Sequence, residues 1–384
     1  MSNLRVEKIY PAKLSVSRRY TVCLMGDVVE KHAVDRVERL DYLSIVPPIH
    51  LEPNMKAIQI SDYGGRGNLT LNEIDVPTPR EGEALVQLDY AGINFIDVYM
   101  RQGDYRNSST YGTPLPFTLG MEGAGTIVDS NGVKGISNGK RVAYCLSRGS
   151  YAEYASVPAW KLVNIPASMD PAVATVLMLQ GCTAHYLSHS LFPVRPGQWC
   201  LVHAGAGGVG QLLIQLAKAR GAKVIATVGS ASKAAIAKEL GADRVVLYLE
   251  DDFYEVVQEV MGGQGVHVVY DAVGKDTIER SIRSLRTRGM CVNYGGSSGL
   301  VKNVRPLDLA DAGSTFFTRP HLAHYMTTQE EIKSRADDLF RWVEEGVLKV
   351  RIDSIFPLAE VAVAHETIEE RKTTGKLLLK AIDS

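Results

Sequence analysis

The residues best placed to do chemistry are three glycines. Gly205, Gly207 and Gly210 lie in His203-Ala204-Gly205-Ala206-Gly207-Gly208-Val209-Gly210 and satisfy G-x-G-x-x-G. In such a turn the first glycine permits the tight bend, the second lets a pyrophosphate approach the backbone, and the third lets helix and strand pack closely. Free N–H groups and the positive end of the following helix then hold phosphate. The flanks agree. An apolar run enters the turn, Leu212, Leu213, Leu216 and Ala219 recur at helical spacing, Gly221-Ala222 ends the helix, and residues 223–228 read as the next strand. The stretch predicts one βαβ unit that binds a dinucleotide.

The end of the second strand indicates which dinucleotide. Turns that prefer NAD place a carboxylate there, roughly 20 residues after the glycines, to hold the ribose 2′-hydroxyl. This chain has Thr227-Val228-Gly229-Ser230-Ala231-Ser232-Lys233, with no acid. Gly229 offers room, Ser230 a hydroxyl and Lys233 a positive charge, which suits a 2′-phosphate and predicts NADPH.

No metal site is expected. His185 and His189 stand four apart without the Glu of H-E-x-x-H, and His321 and His324 have no cysteine or carboxylate at ligand spacing. The five cysteines, Cys23, Cys145, Cys182, Cys200 and Cys291, form no C-x-x-C pair and suit unpaired thiols in a reducing, cytoplasmic setting. A formal net charge of −1 gives no bulk attraction to nucleic acid or membrane. Residues 196–217 carry no Asp, Glu, Lys or Arg over a length that would span a bilayer, but they hold five glycines and fit the dinucleotide turn, not a membrane helix.

The elements around these residues fall into two textures. Residues 55–60, 73–77, 84–91, 120–128, 141–144 and 151–154 are short β-rich runs separated by turn residues, which predicts a small antiparallel barrel or sandwich. Residues 171–188 read as helix. Beyond the glycine turn, helices (233–240, 253–261, 276–285) alternate with strands (244–247, 266–271, 290–294), the pattern of a doubly wound parallel sheet. The strand-like run 375–380 is expected to return to the first domain and make it discontinuous. Residues 1–54 differ in composition and are expected to form a weakly ordered extension, with Val29, Ala33, Val37 and Leu40 on one face of a short helix.

With these motifs in order, the chain resembles the medium-chain dehydrogenase/reductase superfamily, and within it the zinc-free NADPH quinone oxidoreductases related to zeta-crystallin. The carrying segments are Ala91-Gly92-Ile93-Asn94-Phe95-Ile96-Asp97-Val98-Tyr99, the glycine turn, Val269-Tyr270-Asp271-Ala272-Val273-Gly274, Tyr294-Gly295-Gly296-Ser297-Ser298-Gly299 and Thr318-Arg319-Pro320. The resemblance implies an α/β chain with a GroES-like β-barrel domain (55–178 and 323–384) and a doubly wound Rossmann domain (179–322). It also implies a homodimer. Zinc-bearing relatives carry a ligand cysteine near Asn94 and a His-Glu pair where this chain has Met121-Glu122, so the metal-free branch is implied.

Position by position, Asn94, Tyr99 and Tyr105 match residues near the nicotinamide and quinone pocket. Thr183 approaches the cofactor from the preceding helix, and Gly207, Gly208 and Val209 match the pyrophosphate turn. Gly229, Ser230, Lys233 and Tyr248 match the adenosine-phosphate pocket. Tyr294, Gly295, Ser297, Phe317, Thr318, Arg319 and Lys376 complete the ribbon of cofactor contacts. Tyr99 is readable either as pocket or as plain core. Tyr294 stands where close relatives have Phe and Gly296 where Asn is common, which alters the pocket floor.

A quinone is already electron-poor and needs no Lewis acid, unlike an alcohol or ketone. The expected activity is therefore NADPH:quinone reduction by hydride or single electrons, with positioning roles for Asn94, Tyr99 and Tyr105. The same geometry suits an enone or enoyl acceptor. A low-turnover crystallin-like protein binding NADPH or RNA is the third reading, and the near-neutral charge weakens its RNA form.

Overall fold

The computed structural model describes residues 22–24, 27–29 and 52–382. The described residues fall into two units, one holding 22–24 and 27–29 and the other 52–382. In the first, Val22–Leu24 and Asp27–Val29 pair antiparallel. Val29 thus lies in a strand and not in the expected helix, and Ala33, Val37 and Leu40 lie outside the described residues.

In the second unit the dinucleotide half is a six-stranded parallel sheet. Its strands, in chain order Trp199–Val202, Lys223–Val228, Arg244–Leu247, Val266–Asp271, Leu285–Asn293 and Phe316–Thr318, lie across the sheet as 3-2-1-4-5-6. Strand order therefore reverses beside the first strand, where Trp199–Val202 pairs with both Lys223–Val228 and Val266–Asp271. A crevice opens at that reversal, beyond the carboxyl ends of the strands. The strands are apolar on both faces because helices cover both sides, and Cys200, Leu201, Val202, Val268 and Val269 are all buried.

The other half centres on the long strand Glu83–Ile93. Glu122–Asp129 pairs along one edge. The other edge is shared, Tyr154–Pro158 taking residues 83–87 and Lys376–Lys380 taking residues 90–93. The last strand thus pairs with Glu83–Ile93 of the β-rich half, Lys376 standing 283 positions after Ile93. A three-stranded sheet of Thr70–Asp75, Asn54–Ile60 and Phe117–Thr118 completes the β-rich half.

Several predicted elements shift, and the strand expected at 290–294 opens at Leu285. The helix expected at 276–285 is only Ile278–Arg283, because the Thr277 hydroxyl turns back to the Asp271 carboxylate and Leu285 already opens the next strand. The helix expected at 171–188 runs on to Leu191, with wide turns at Leu177–Gly181 and Tyr186–Leu191. The strand expected at 151–154 begins at Tyr154, since the Tyr151 side chain is drawn inward to hydrogen-bond Asp97.

Candidate functional site

The glycine turn shows why each small residue is there. The left-handed residue is Ala204, at φ 54°, and not Gly205. A Cβ on Gly205 would lie 2.9 Å from the Ala226 methyl of the neighbouring strand, so the first glycine serves sheet packing and the bend is made one residue earlier. A Cβ on Gly210 would overlap the Ala204 carbonyl oxygen and reach within 3.0 Å of Gly205 Cα. The third glycine thus lets the helix Gly208–Ala219 start against the turn. The first-turn amides of that helix have no intrahelical acceptor and open into the crevice. Leu212, Leu213 and Leu216 are buried on the sheet, whereas Ala219 is exposed and lies off the apolar face.

Two connected pockets extend from this turn. The first, of about 230 Å³, takes its wall from both halves: Asn94, Tyr99 and Tyr105 on one side, and Thr183, Gly207, Gly208, Val209, Gly210, Tyr294, Gly295, Ser297 and Arg319 on the other. The second, of about 220 Å³, is lined by Gly229, Lys233 and Tyr248, with Gly207 and Ser297 shared. A Cβ on Gly229 would sit 2.7 Å from the Tyr248 hydroxyl, so only glycine leaves that ring in place.

Five predicted residues do not line either pocket. Gly205 lies behind the turn. Ser230 caps the helix Ala231–Glu239, accepting the Lys233 N–H. Phe317 and Thr318 belong to the sixth strand, with Phe317 packed on the core. Lys376 is fully buried, ion-paired to Glu122 and donating to Asn94 Oδ1 at 2.7 Å. Its neighbours Thr373 and Gly375 reach the cleft instead.

The Lys376 ammonium defines the chemistry of this corner. Glu122 Oε2 also accepts from Asn94 Nδ2 at 2.9 Å, and its Oε1 from the Leu179 N–H at 2.5 Å. Asn94 Nδ2 donates further to the Gly92 carbonyl, so both ends of this amide are committed to protein. A Cβ on Gly92 would overlap the Glu122 carboxylate and lie 2.9 Å from Lys376 Cε, which is why glycine stands there. Burial pushes the Glu122 carboxyl up against the opposing pull of Lys376. The residues do not fit a metal. A lysine ammonium already neutralises the one carboxylate, the Cys145 thiol donates to the Met178 carbonyl and is raised by burial, and Met121 offers only a thioether. Among the described residues, no group of three or more His, Cys, Asp or Glu could hold an ion.

Behind Asn94 runs a second buried chain. Asp97 Oδ2 accepts from the Asn94 N–H at 2.8 Å and the Tyr151 hydroxyl at 3.0 Å. Tyr151 meets His365 Nε2, and His365 Nδ1 meets Arg101, itself ion-paired to Glu369 at 2.9 Å. Burial raises Asp97 to about 7, opposed by those hydrogen bonds, while burial and then Arg101 lower His365 to about 3. This chain fixes the start of the helix Phe95–Gln102 that carries Tyr99.

Tyr99 spans the cleft, its hydroxyl oxygen accepting the Gly296 N–H at 3.0 Å. It is thus both buried and part of the pocket. Burial raises Tyr99 to about 12 and also raises Tyr105, with Arg319 opposing in both cases. Both phenols are neutral donors at neutral pH and not bases. Opposite them, the Asp271 carboxylate accepts the Val273 and Gly274 N–H groups at 2.8 Å and shapes the loop facing Ser297.

At the far end, Lys233 Nζ donates to the Arg371 carbonyl at 2.5 Å, and Arg371 Nη2 to the Ser297 carbonyl at 3.1 Å. Arg280 joins them in the lining, against a single carboxylate, Asp276. Neither Arg371 nor Glu122 emerges from sequence reasoning as a site residue, because no local motif carries them. The absence of an acid after the second strand, together with Lys233, is the signal in the sequence that points to a cationic pocket.

Two family models match the chain, the alcohol dehydrogenase GroES-like domain over residues 80–167 and the zinc-binding dehydrogenase domain over residues 208–342. Quinone oxidoreductase 1 of Escherichia coli is 41% identical over 326 residues, 84% of this chain and 98% of that protein. A 2-haloacrylate reductase of a Burkholderia species is 40% identical over 328 residues, again 84% of this chain and 98% of the relative. The crystal structure of an Escherichia coli quinone oxidoreductase complexed with NADPH superposes with a TM-score of 0.81 at 40% identity, covering 85% of this chain and 99% of the other.

Proposed function

The chain belongs to the zinc-free quinone oxidoreductases of the medium-chain dehydrogenase/reductase superfamily, and from that premise we propose that it reduces quinones at the expense of NADPH, without a metal. The observation that carries the reading is the crevice at the sheet's strand reversal, walled on the acceptor side by aromatic rings and corked at its metal-prone corner by an ammonium. When bound, NADPH supplies the reducing equivalents.

The chain's own residues position and neutralise. The amides of Gly207, Gly208 and Val209 hold the pyrophosphate. Lys233 and Arg371 face the 2′-phosphate, with Gly229 leaving space beneath Tyr248. Thr183, Tyr294, Gly295, Ser297 and Arg319 line the nicotinamide end, and Tyr99 and Tyr105 orient the acceptor. Lys376 is a positioning residue that acts through Asn94. Ser230 acts through the helix that carries Lys233, and Phe317 and Thr318 through the strand that ends just before Arg319. Orientation of this kind supplies several kcal/mol of a barrier without any acid or base.

The same reading assigns 55–178 and 323–384 to the catalytic domain and 179–322 to the cofactor domain. It also places the protein in the cytoplasm as a homodimer. No helix among the described residues is long and apolar enough to cross a membrane.

A second acceptor class is favoured by one observation, the 40% identity to a 2-haloacrylate reductase, since hydride delivery to a conjugated double bond needs the same crevice. The test follows the loss of NADPH and NADH absorbance with ortho-quinones, para-quinones and enones in parallel. Turnover of quinones with NADPH, and weaker use of NADH, is expected. Turnover of enones alone transfers the assignment to the second class. Tight NADPH binding with no acceptor reduced indicates a binding protein, and NADH used as well as NADPH defeats the cofactor assignment.

A further inference from the structure

A third cavity, of about 650 Å³, lies beside the acceptor cleft and shares only Tyr111 and Leu146 with it. No residue of the glycine turn lines it, and neither do Asn94, Tyr99, Tyr105 or Arg319, so the dinucleotide and its acceptor do not account for it. Its apolar lining includes Met121, Leu146, Met326 and Ile332. The Cys145 thiol is there too, but it donates to the Met178 carbonyl and is raised by burial, so it is not a nucleophile. Trp160 borders the same cavity and is 40% exposed, a large ring that the fold leaves uncovered.

The charges of this lining do not balance. It holds two cations, Arg148 and Lys161, and one carboxylate, Glu83. Glu83 Oε2 is already engaged, accepting from the Ser156 hydroxyl at 2.7 Å and the Arg80 N–H at 3.1 Å. The cations meet only neutral groups among the described residues. Arg148 Nη1 donates to the Gly112 carbonyl at 3.3 Å and to the Thr113 hydroxyl. Lys161 Nζ donates to the Leu146 carbonyl and lies 5.3 Å from the centre of the Trp160 ring. The guanidinium thus keeps Nε and Nη2, the edge that meets a carboxylate with two parallel bonds, and the ammonium keeps two of its three hydrogens. Burial lowers both groups. For Lys161 the Cys145 thiol opposes this and Arg148 adds to it, with no carboxylate contributing to either. Two like charges held partly out of water without a counter-ion cost free energy that a bound anion offsets.

We infer that this cavity is a second ligand site, separate from the NADPH and acceptor cleft, and that it takes a small organic carboxylate. The carboxylate lies against Arg148 and Lys161, and the carbon body against Trp160 and the apolar lining. Either part alone leaves the cavity half satisfied. A bare inorganic anion leaves the apolar lining wet, and an uncharged ring leaves both cations without a counter-ion. No bond is made or broken there.

Titration calorimetry of the full chain tests this with three probes: 2-naphthoate, 2-naphthalenemethanol as its uncharged counterpart, and inorganic phosphate as the bare anion. The expected result is that 2-naphthoate binds about tenfold or more tighter than either of the others. Arg148→Gln should weaken 2-naphthoate about tenfold and leave 2-naphthalenemethanol unchanged, because the variant removes only the charge. Trp160→Ala should weaken both organic probes and leave phosphate unchanged. Kd for NADPH and Tm stay at the wild-type values in Arg148→Gln, whose side chain is exposed and lies outside the cofactor cleft. Failure of 2-naphthoate to bind, or equal affinity of wild type and Arg148→Gln for it, overturns the inference. So does phosphate or the uncharged probe binding as tightly as 2-naphthoate. None of these measurements depends on quinone turnover, so the second site and the reductase reading stand or fall separately.

Discussion

The two ends of the cleft solve different problems with different materials. The nucleotide end is lined by backbone amides at a helix start and by partly solvated cations, Lys233, Arg280 and Arg371, a lining that suits a ligand with formal charge. At the acceptor end the ligand is flat and uncharged. There the wall is a run of rings, Tyr99, Tyr105, Tyr111 and His321, backed by ionic groups that are themselves fully enclosed. The first end is loosely coupled to the fold, whereas the second is part of the folding core. Charges at the first should therefore trade affinity, and charges at the second should trade stability.

Breaking the ion pair at the acceptor end tests this most severely. Lys376→Met strands the Glu122 carboxylate with no solvent and no counter-ion, which costs roughly 3–5 kcal/mol. Denaturant unfolding should show that loss, and the double variant Glu122→Gln/Lys376→Met should recover much of it. An unchanged midpoint in the single variant would mean the pair is not buried as described.

The chain behind Asn94 gives a second, pH-dependent contrast. Asp97 is raised from 3.8 to about 7, so folding favours its protonated form. Its contribution is fully present below pH 4 and disappears as pH climbs through about 7, a span of roughly 4 kcal/mol at most. His365 is lowered from 6.5 to about 3, so its contribution is present above pH 6.5 and is lost as pH falls toward 3. The two slopes oppose each other. Asp97→Asn should therefore leave the His365 slope uncompensated, and Tm should fall more steeply between pH 6.5 and pH 4 than in the wild type. A parallel pair of Tm profiles would remove Asp97 from the account.

At the nucleotide end effects should appear in binding. Lys233→Ala should raise Kd for NADPH about tenfold, with NADH little changed and Tm near the wild-type value. Equal effects on the two cofactors would show that Lys233 does not meet the 2′-phosphate. The smallest expected change is that of Ser230→Ala, which removes a helix cap and costs about 1 kcal/mol in stability. A drop in NADPH affinity larger than that loss explains would move Ser230 from the helix end into the pocket.

What was legible beforehand follows the same division. The candidate phosphate turn is local: the turn, its helix and the flanking strands occupy residues 199–228, and hydrophobic period plus glycine spacing suffice to read them. Even there the detail moved, since the left-handed residue is Ala204 and Gly205 is required by Ala226 on another strand. Arg371 lies 138 positions beyond the Lys233 it accompanies, and no periodicity links them.

The sequence alone therefore determined the alternating strands and helices, the dinucleotide turn, the lack of an acid where NAD would need one, and the lack of metal ligands beside Asn94. Those are properties of neighbours along the chain, governed by backbone sterics and by residue type. Only the tertiary structure decided that Lys376 is buried 282 positions from the Asn94 it holds, that Glu122 is its counter-ion, and that the His321 ring is packed among Tyr105, Tyr111 and His324. Burial and partnership arise when distant segments exclude water together, and that cannot be read one residue at a time.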